Sequence, residues 1–270
     1  MTSPTDKVFA GSIPKIYQTY LVPLIFQAYA DDLARRLASR PVRRVLEIAA
    51  GTGVATRALA AALAPTDIVA TDLNQAMLDE AAALGTPRGV TWRQADATEL
   101  PFADGAFDAV VCQFGAMFFP DRAKAYAEAR RVLVDGGVFV FSVWDRIEDN
   151  GFADAVTAGL RDVFPDDPPR FLARTPHGYH DRASIARDLA QGGFAAAPEV
   201  VTLTERSRAD SPRIPALAFC QGSPLRNEIE ARDARRLAEA TDAAEREVGR
   251  RYGTGAVEAG MRAHVLTVRA

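Results

Sequence analysis

The stretch EIAAGTGVA, Glu47–Ala55, lies between RRVL and TRALAAAL. Read in order it is an apolar strand, a turn carrying two glycines, and the start of a helix. Aliphatic residues at 45, 46 and 48 suit an extended chain, and Gly51 and Gly53 open backbone angles that a Cβ disfavours. A strand that turns tightly into a helix points the helix's free N–H groups at whatever occupies the turn, as nucleotides do in many proteins.

Working outward, residues 42–144 alternate between short apolar runs and alanine-rich helical patterns. The strand candidates are RRVLEIA, DIVATDL, VTWRQAD, FDAVVCQF and GVFVFSVW, with helices expected at Val54–Leu63, Gln75–Leu84 and Ala123–Leu133. Several strands are apolar almost throughout, which fits a parallel sheet covered by helices on both faces. The alternation predicts a doubly wound α/β fold. DGG at 135–137 reads as the turn into the fifth strand, and Asp108 as a residue at the start of the fourth.

The flanks differ in character. Residues 8–40 read as aromatic helices punctuated by Pro14 and Pro23, and residues 150–180 as loop-rich with FPDDPPRF as a rigid break. A helix over Arg182–Gln191 ends at GGF, and the strand EVVTLTERS follows. Residues 212–250 read as two helices, and EAGMRAHVLTVRA as a last strand. The two late strands are expected to form an antiparallel edge. The organisation predicted is a helical lid over 1–40, a nucleotide-binding core over 41–148, and a remainder over 149–270 with helical cap insertions around 150–180 and 210–252.

Composition narrows the function classes. The chain has 270 residues, 48% hydrophobic and 25% charged, with a formal net charge of −3. That charge gives no electrostatic footprint for nucleic acid or an anionic membrane. No run reaches the ~20 apolar residues of a membrane span, and MTSPTDK lacks a signal peptide's apolar core. The expected location is the cytosol. Two distant cysteines, Cys112 and Cys220, suggest neither a disulfide framework nor a metal site.

Two observations bear on the ligand of the turn. A dinucleotide-binding G-x-G-x-x-G does not fit: with Gly51 as its middle glycine, Ala49 and Val54 take the other places, and with Gly51 and Gly53 first, Thr56 takes the third. Glu47, four residues before Gly51, is a like charge toward a pyrophosphate but an attractive partner for an ammonium group. Asp72, nineteen residues after Gly53, is placed to accept hydrogen bonds from a ribose, and is expected to be an exposed acceptor. DLN at 72–74 also reads as a helix cap.

VLEIAAGTG, ATDLNQAMLDEA, ADATELPFADGAFDAVVCQFGAMFF and EARRVLVDGGVFVFSVW, in this order from about Val42 to Trp144, resemble the motifs of class I S-adenosylmethionine-dependent methyltransferases. The similarity is greatest to the small-molecule branch with the ubiquinone and menaquinone C-methyltransferases. Ala49 departs from it, since the family often has glycine there, and a methyl group at that point need not block a backbone contact. The resemblance implies a Rossmann-like, mostly parallel seven-stranded sheet with an antiparallel last strand and helical caps. It implies S-adenosylmethionine as cofactor and S-adenosylhomocysteine as product. Carried onto this sequence, Glu47 meets the methionine ammonium, and the backbone at Ala49, Gly51 and Gly53 lines the cofactor. Asp72 takes the ribose, Leu73 and Met77 the adenine face, Asp96 and the Ala97 amide the adenine edge. Gln113 lies near the methionine, and Tyr17 touches cofactor from the N-terminal segment.

Direct displacement at a sulfonium methyl needs alignment more than a fixed triad, and no catalytic residue is assigned. His177 and His180 in TPHGYHDR are candidate bases or acceptor contacts, each also explicable as a turn or helix-start residue; His264 reads as packed. Tyr20, sharing a helix face with Tyr17, and Phe114 and Phe118 in FGAMFFP are candidates for an apolar acceptor pocket. The expected partner is a small-molecule methyl acceptor, with no nucleic acid, no metal and no membrane span, in a monomer or homodimer. Two other readings share the turn: an NAD-dependent oxidoreductase and a non-catalytic module that binds S-adenosylmethionine.

Overall fold

In a computed structural model, residues 4–64 and 66–270 are described; Met1–Ser3, the start of the segment read as lacking a signal peptide's core, lie outside them. The strands are β1 (Arg44–Glu47), β2 (Asp67–Asp72), β3 (Thr91–Gln94), β4 (Phe107–Gln113), β5 (Leu133–Trp144), β6 (Glu199–Ala209) and β7 (Val257–Arg269). The helices of the first half are α1 (Ile13–Ile16), α2 (Gln27–Ala38), α3 (Val54–Ala62), α4 (Gln75–Leu84) and α5 (Arg122–Val132). The second half contributes α6 (Gly151–Val163), α7 (Phe171–Arg174), α8 (Arg182–Gln191), α9 (Arg213–Gln221), α10 (Leu225–Asp233) and α11 (Leu237–Tyr252). No helix among the described residues is long and apolar enough to cross a membrane.

The seven strands form one sheet in the order β3-β2-β1-β4-β5-β7-β6. β3, β2, β1, β4 and β5 run parallel, with Glu47 level with Ala70 on one side and Val111 on the other. β7 runs against β5: the Asp145 N–H donates to the Arg262 carbonyl, and Gly136 and Gly137 bond Ala270. β6 runs against β7, since Thr202 meets His264 while Arg206 meets Glu258. The expected Rossmann-like sheet with its antiparallel last strand is therefore present.

Contacts divide the chain into two compact units. One consists of Gln27–Val143, Tyr179–Leu203 and Ala263–Ala270. Here alternate residues of β5 serve opposite faces. Val138 and Val140 join Leu33 and Leu37 of α2, Leu59 of α3 and Val45 of β1 in a fully buried cluster. Phe139 and Phe141 pack instead on Tyr126 of α5, and Phe139 stacks on Phe194. Burial on both faces explains why this strand's sequence is apolar without a period of two.

The other unit gathers Met1–Phe26, Trp144–Gly178 and Thr204–Arg262, and its packing centres on α6, α9 and α11. The structure corrects several expectations, beginning with this unit's helices. Residues 150–180 are not loop-rich, because α6 spans 13 residues with Phe152, Val156, Leu160 and Val163 buried along one stripe. Its Gly159 is a crossing point: a Cβ there would stand 2.7 Å from the Ala243 carbonyl oxygen of α11. Residues 212–250 hold three α-helices rather than two. Gly222–Pro224 end α9, with the Ser223 hydroxyl bridging the Phe219 carbonyl and the Leu225 N–H. A 3-10 turn at Ala234–Arg236, capped by Asp233, then separates α10 from α11.

Of the two prolines read as punctuation in the N-terminal segment, Pro14 marks a helix start and Pro23 does not. Pro14 occupies the first turn of α1, where its missing N–H is harmless. Pro23 lies inside a π-helical stretch, Tyr17–Phe26, that continues into α2. The wider i→i+5 winding absorbs a residue that an α-helix would expel. It also removes the basis for placing Tyr17 and Tyr20 on one face, which assumed α-helical spacing. Lastly, Asp135–Gly137 lie within β5 rather than before it. Leu133 pairs with Phe107 and Val138 with Ala109, so the intervening residues form a bulge.

Candidate functional site

The order β2-β1-β4 makes the carboxyl end of β1 the topological switch point. The chain winds to β2 and β3 on one side, then returns to β4 on the other, leaving a crevice where the connections diverge. Four adjacent strands end there in acids or amides: Asp96 just beyond β3, Asp72 ending β2, Glu47 ending β1 and Gln113 ending β4. At roughly 4.8 Å between neighbouring strands, the row spans roughly 14 Å.

The turn after β1 is built from the backbone. Ala49, Gly51 and Gly53 have φ of 55°, 56° and 79°, all left-handed. Ile48 N–H donates to the Val111 carbonyl and Ala50 N–H to the Thr71 carbonyl, each at 2.9 Å, so the turn is tied to both neighbouring strands. Gly53 is also demanded by space, because a Cβ would stand 2.7 Å from the Trp92 ring. α3 begins directly after it without a side-chain cap.

Glu47 is 1% exposed. Its Oε2 accepts the Thr56 hydroxyl at 2.5 Å, and its carbonyl accepts the Thr71 hydroxyl. Burial pushes its carboxyl up to about 8; the Thr56 hydrogen bond and the Arg57 cation oppose that rise, and the nearby Asp72 adds to it. A buried carboxyl that keeps its proton at neutral pH ionises when a cation comes beside it. Arg57 bonds the Thr52 carbonyl at 2.7 Å. The Thr52 hydroxyl, in a residue 1% exposed, has no hydrogen-bond partner.

Asp72 was expected to be exposed, and the structure corrects this: it is 8% exposed. Its Oδ2 accepts the Gly51 N–H at 2.9 Å and its Oδ1 the Asn74 N–H at 2.8 Å. Burial raises its carboxyl too, against those hydrogen bonds. The acid therefore anchors the glycine turn as well as ending β2. Asn74 precedes α4, but its side chain turns back to Asp72 and does not cap the helix. The next residue, Leu73, is 40% exposed, whereas Met77 is 3% exposed. Asp96 is half-buried, its Oδ1 accepting both the N–H and the hydroxyl of Thr98, beside a half-buried Ala97.

Beyond Gln113, 8% exposed, the chain turns sharply. Phe114 has a φ of 52°, its N–H donates to the Ser142 carbonyl, and its ring packs edge-on against Tyr29. Phe114 is 5% exposed and Phe118 half-buried. Cys112 is buried, with its thiol pushed up to about 12 by desolvation, and Asp108 accepts the Arg43 and Arg44 N–H groups, a structural duty.

Glu47, Ala49, Gly51, Gly53, Asp72, Leu73, Asp96, Ala97, Gln113 and Phe114 are thus brought to one edge of one unit. Tyr17 and His177 belong to the other unit. There Tyr17 stacks on Phe26 at 5.2 Å and meets Phe9 edge-on. His177 is 5% exposed, with Nδ1 2.8 Å from the Asp145 carbonyl. His180 is half-buried just before α8, and buried His264 pairs through Nδ1 with the Thr202 hydroxyl, as its packed reading anticipated. Sequence reasoning missed Thr52, Thr56, Arg57, Thr71 and Gly115, whose neighbours are set by the turn's three-dimensional course. Thr56 alone carried a signal: nine residues after Glu47, it falls on the first turn of the helix.

The family of methyltransferase domains matches residues 46–141, which contain the whole row of strand ends. The ubiquinone/menaquinone biosynthesis C-methyltransferase UbiE of Burkholderia mallei is 35% identical over 168 residues, covering 58% of this chain and 69% of that protein. Among solved structures, a putative methyltransferase from Bacillus halodurans superposes with a TM-score of 0.56 at 19% identity, covering 88% of this chain and 97% of that one. A putative methyltransferase from an antibiotic biosynthesis pathway of Anabaena variabilis gives 0.58 at 17% identity, covering 90% and 98%. The structures speak for the fold, and the relative for the family. The chain belongs to the class I S-adenosylmethionine-dependent methyltransferases.

Proposed function

We propose that the crevice at the switch point holds S-adenosylmethionine in a fixed direction, with its amino-acid end at Glu47 and Gln113 and its nucleoside along Asp72 and Asp96. The observation that carries this reading is Glu47, a carboxyl 1% exposed and raised to about 8, beside a turn of left-handed residues. An ammonium beside it favours the ionised carboxylate, so binding releases the proton to solvent and leaves an ion pair, whereas a phosphate would hold the carboxyl in its protonated form and gain no such pair. The residues suit the cofactor in three further ways. The buried Thr52 hydroxyl offers an unmatched polar group, Leu73 an exposed apolar surface for a flat base, and Asp72 a carboxylate with acceptor capacity beyond its two backbone bonds.

When bound, the sulfonium supplies an electrophilic methyl group. The chain's own residues orient and exclude. Glu47 fixes the charged end, Asp72 and the glycine turn fix the sugar end, and Gln113 with Phe114 borders the exit of β4. Holding reactants in line contributes roughly 7–11 kcal/mol in favourable intramolecular reactions, enough for transfer to an activated acceptor without a triad.

We propose a small organic molecule as acceptor. Support comes from the kinship with a quinone C-methyltransferase and from Phe118, half-buried four residues after the strained Phe114. The test is release of S-adenosylhomocysteine over a panel of phenols, quinols, amines and lipids. Turnover of one class above the acceptor-free rate supports an enzyme of small molecules; binding of the cofactor with no turnover on any class would leave a binding module.

A further inference from the structure

Among the described residues, two without glycine's freedom hold left-handed backbone, Ala49 at φ 55° and Phe114 at φ 52°. For a residue with a Cβ this conformation costs roughly 1–2 kcal/mol, and such strain gathers at functional sites. Both residues stand at the switch point, one on the turn after β1 and the other on the turn after β4. Between them lies an exchange of residue types. Gly115 has φ −100° and ψ −33°, angles open to any amino acid. A Cβ on it would nevertheless overlap the Cβ of Ala49 and stand 2.8 Å from the Cys112 sulfur. Position 49 has the backbone that favours glycine and carries alanine; position 115 has an ordinary backbone and carries glycine.

We infer that Gly115 is a positioning residue for the cofactor crevice, acting through Ala49, an inference that rests on the reading of that crevice given above. Its missing side chain is the space into which the Ala49 methyl packs, so the turn after β1 lies directly on the turn after β4. Neither turn can yield cheaply. The first is tied by Ala50 N–H to Thr71 and by Gly51 N–H to Asp72; the second by Phe114 N–H to Ser142 and by Phe118 N–H to Gly115. The Cys112 thiol moves by rotation about one bond, whereas the Ala49 Cβ is fixed to the backbone. A methyl group at 115 therefore displaces the glycine turn and its N–H groups, and with them the Gly51–Asp72 bond. Removing the methyl at 49 restores the room.

The test is a pair of variants, Gly115→Ala and the double variant Ala49→Gly with Gly115→Ala, titrated with S-adenosylhomocysteine by calorimetry beside thermal melting. Gly115→Ala is expected to bind at least tenfold more weakly than wild type, and the added Ala49→Gly to recover at least tenfold of that loss. A purely structural role for Gly115 would lower the melting temperature and leave the affinity of the folded protein unchanged, and that result overturns the inference. So does a double variant that binds no better than Gly115→Ala; if the single variant does not fold, a double variant that folds but binds over tenfold more weakly than wild type overturns it equally. A wild-type chain that fails to bind S-adenosylhomocysteine overturns the reading of the crevice and this inference together, whereas failure confined to the variants overturns the inference alone.

Discussion

Replacing Glu47 by glutamine separates the cost of burying this acid from its use. The folded protein holds the carboxyl near 8 and the unfolded chain near 4.5. Between those values the folded state keeps a proton that the unfolded state has released. Glu47's contribution to stability is therefore greatest below pH 4.5, falls as pH rises, and is lost by about pH 8. Each unit is worth about 1.4 kcal/mol, so the whole window amounts to an upper bound of about 5 kcal/mol. Glutamine keeps an acceptor for Thr56 and does not titrate. Melting temperatures of wild type and Glu47→Gln, followed from pH 5 to pH 9, should diverge in favour of the variant as pH rises. About 4 kcal/mol of that bound falls between pH 5 and pH 8, so at roughly 2–4 °C per kcal/mol for a chain of this size the gap should widen by at most roughly 8–16 °C. Losing a charge-assisted hydrogen bond of about 1.5–3 kcal/mol should meanwhile weaken S-adenosylhomocysteine binding by roughly 10- to 100-fold. Parallel melting profiles across the pH range would refute a raised carboxyl at 47, and unchanged affinity would refute its place at the ammonium.

The turn offers two further tests. Asp72→Ala leaves the Gly51 and Asn74 N–H groups without their acceptor, so it should cost about 1–3 kcal/mol in thermal or urea unfolding as well as affinity; Asp72→Asn, which keeps an acceptor, should lose less stability. An unaltered unfolding midpoint in Asp72→Ala would contradict the anchoring role. Gly53→Ala forces a Cβ onto the Trp92 ring at a φ of 79°, and should destabilise the fold by about 1–3 kcal/mol and shift the tryptophan emission. Wild-type emission and stability in that variant would show that the turn yields without cost and that Gly53 is not required by space.

Much of the nucleotide-binding unit could be read from its letters. Strand, glycine turn and helix follow one another within twenty residues, and α4 and α8 have the bounds that their sequences suggested. Local periodicity decides these elements because each buries its face against its chain neighbours. The other unit resisted for the opposite reason. α6 carries an apolar stripe at 152, 156, 160 and 163, yet the FPDDPPRF break after it set the reading of the whole segment, and the α11 surface that its Gly159 meets comes from about eighty residues further along the chain. The π-helix around Pro23 is likewise invisible to a period of 3.6. In the crevice, residue types at strand ends were legible, but burial was not. No spacing told that Asp72 faces inward onto Gly51, or that Ala49 leans on Gly115.

Calorimetric titration of the wild-type chain with S-adenosylhomocysteine and, separately, with NAD tests the central claim most directly. Micromolar binding of the first, with proton release at pH 7 as Glu47 ionises, and no binding of the second is the expected result. Binding of NAD alone would contradict a crevice built for a cationic amino-acid end.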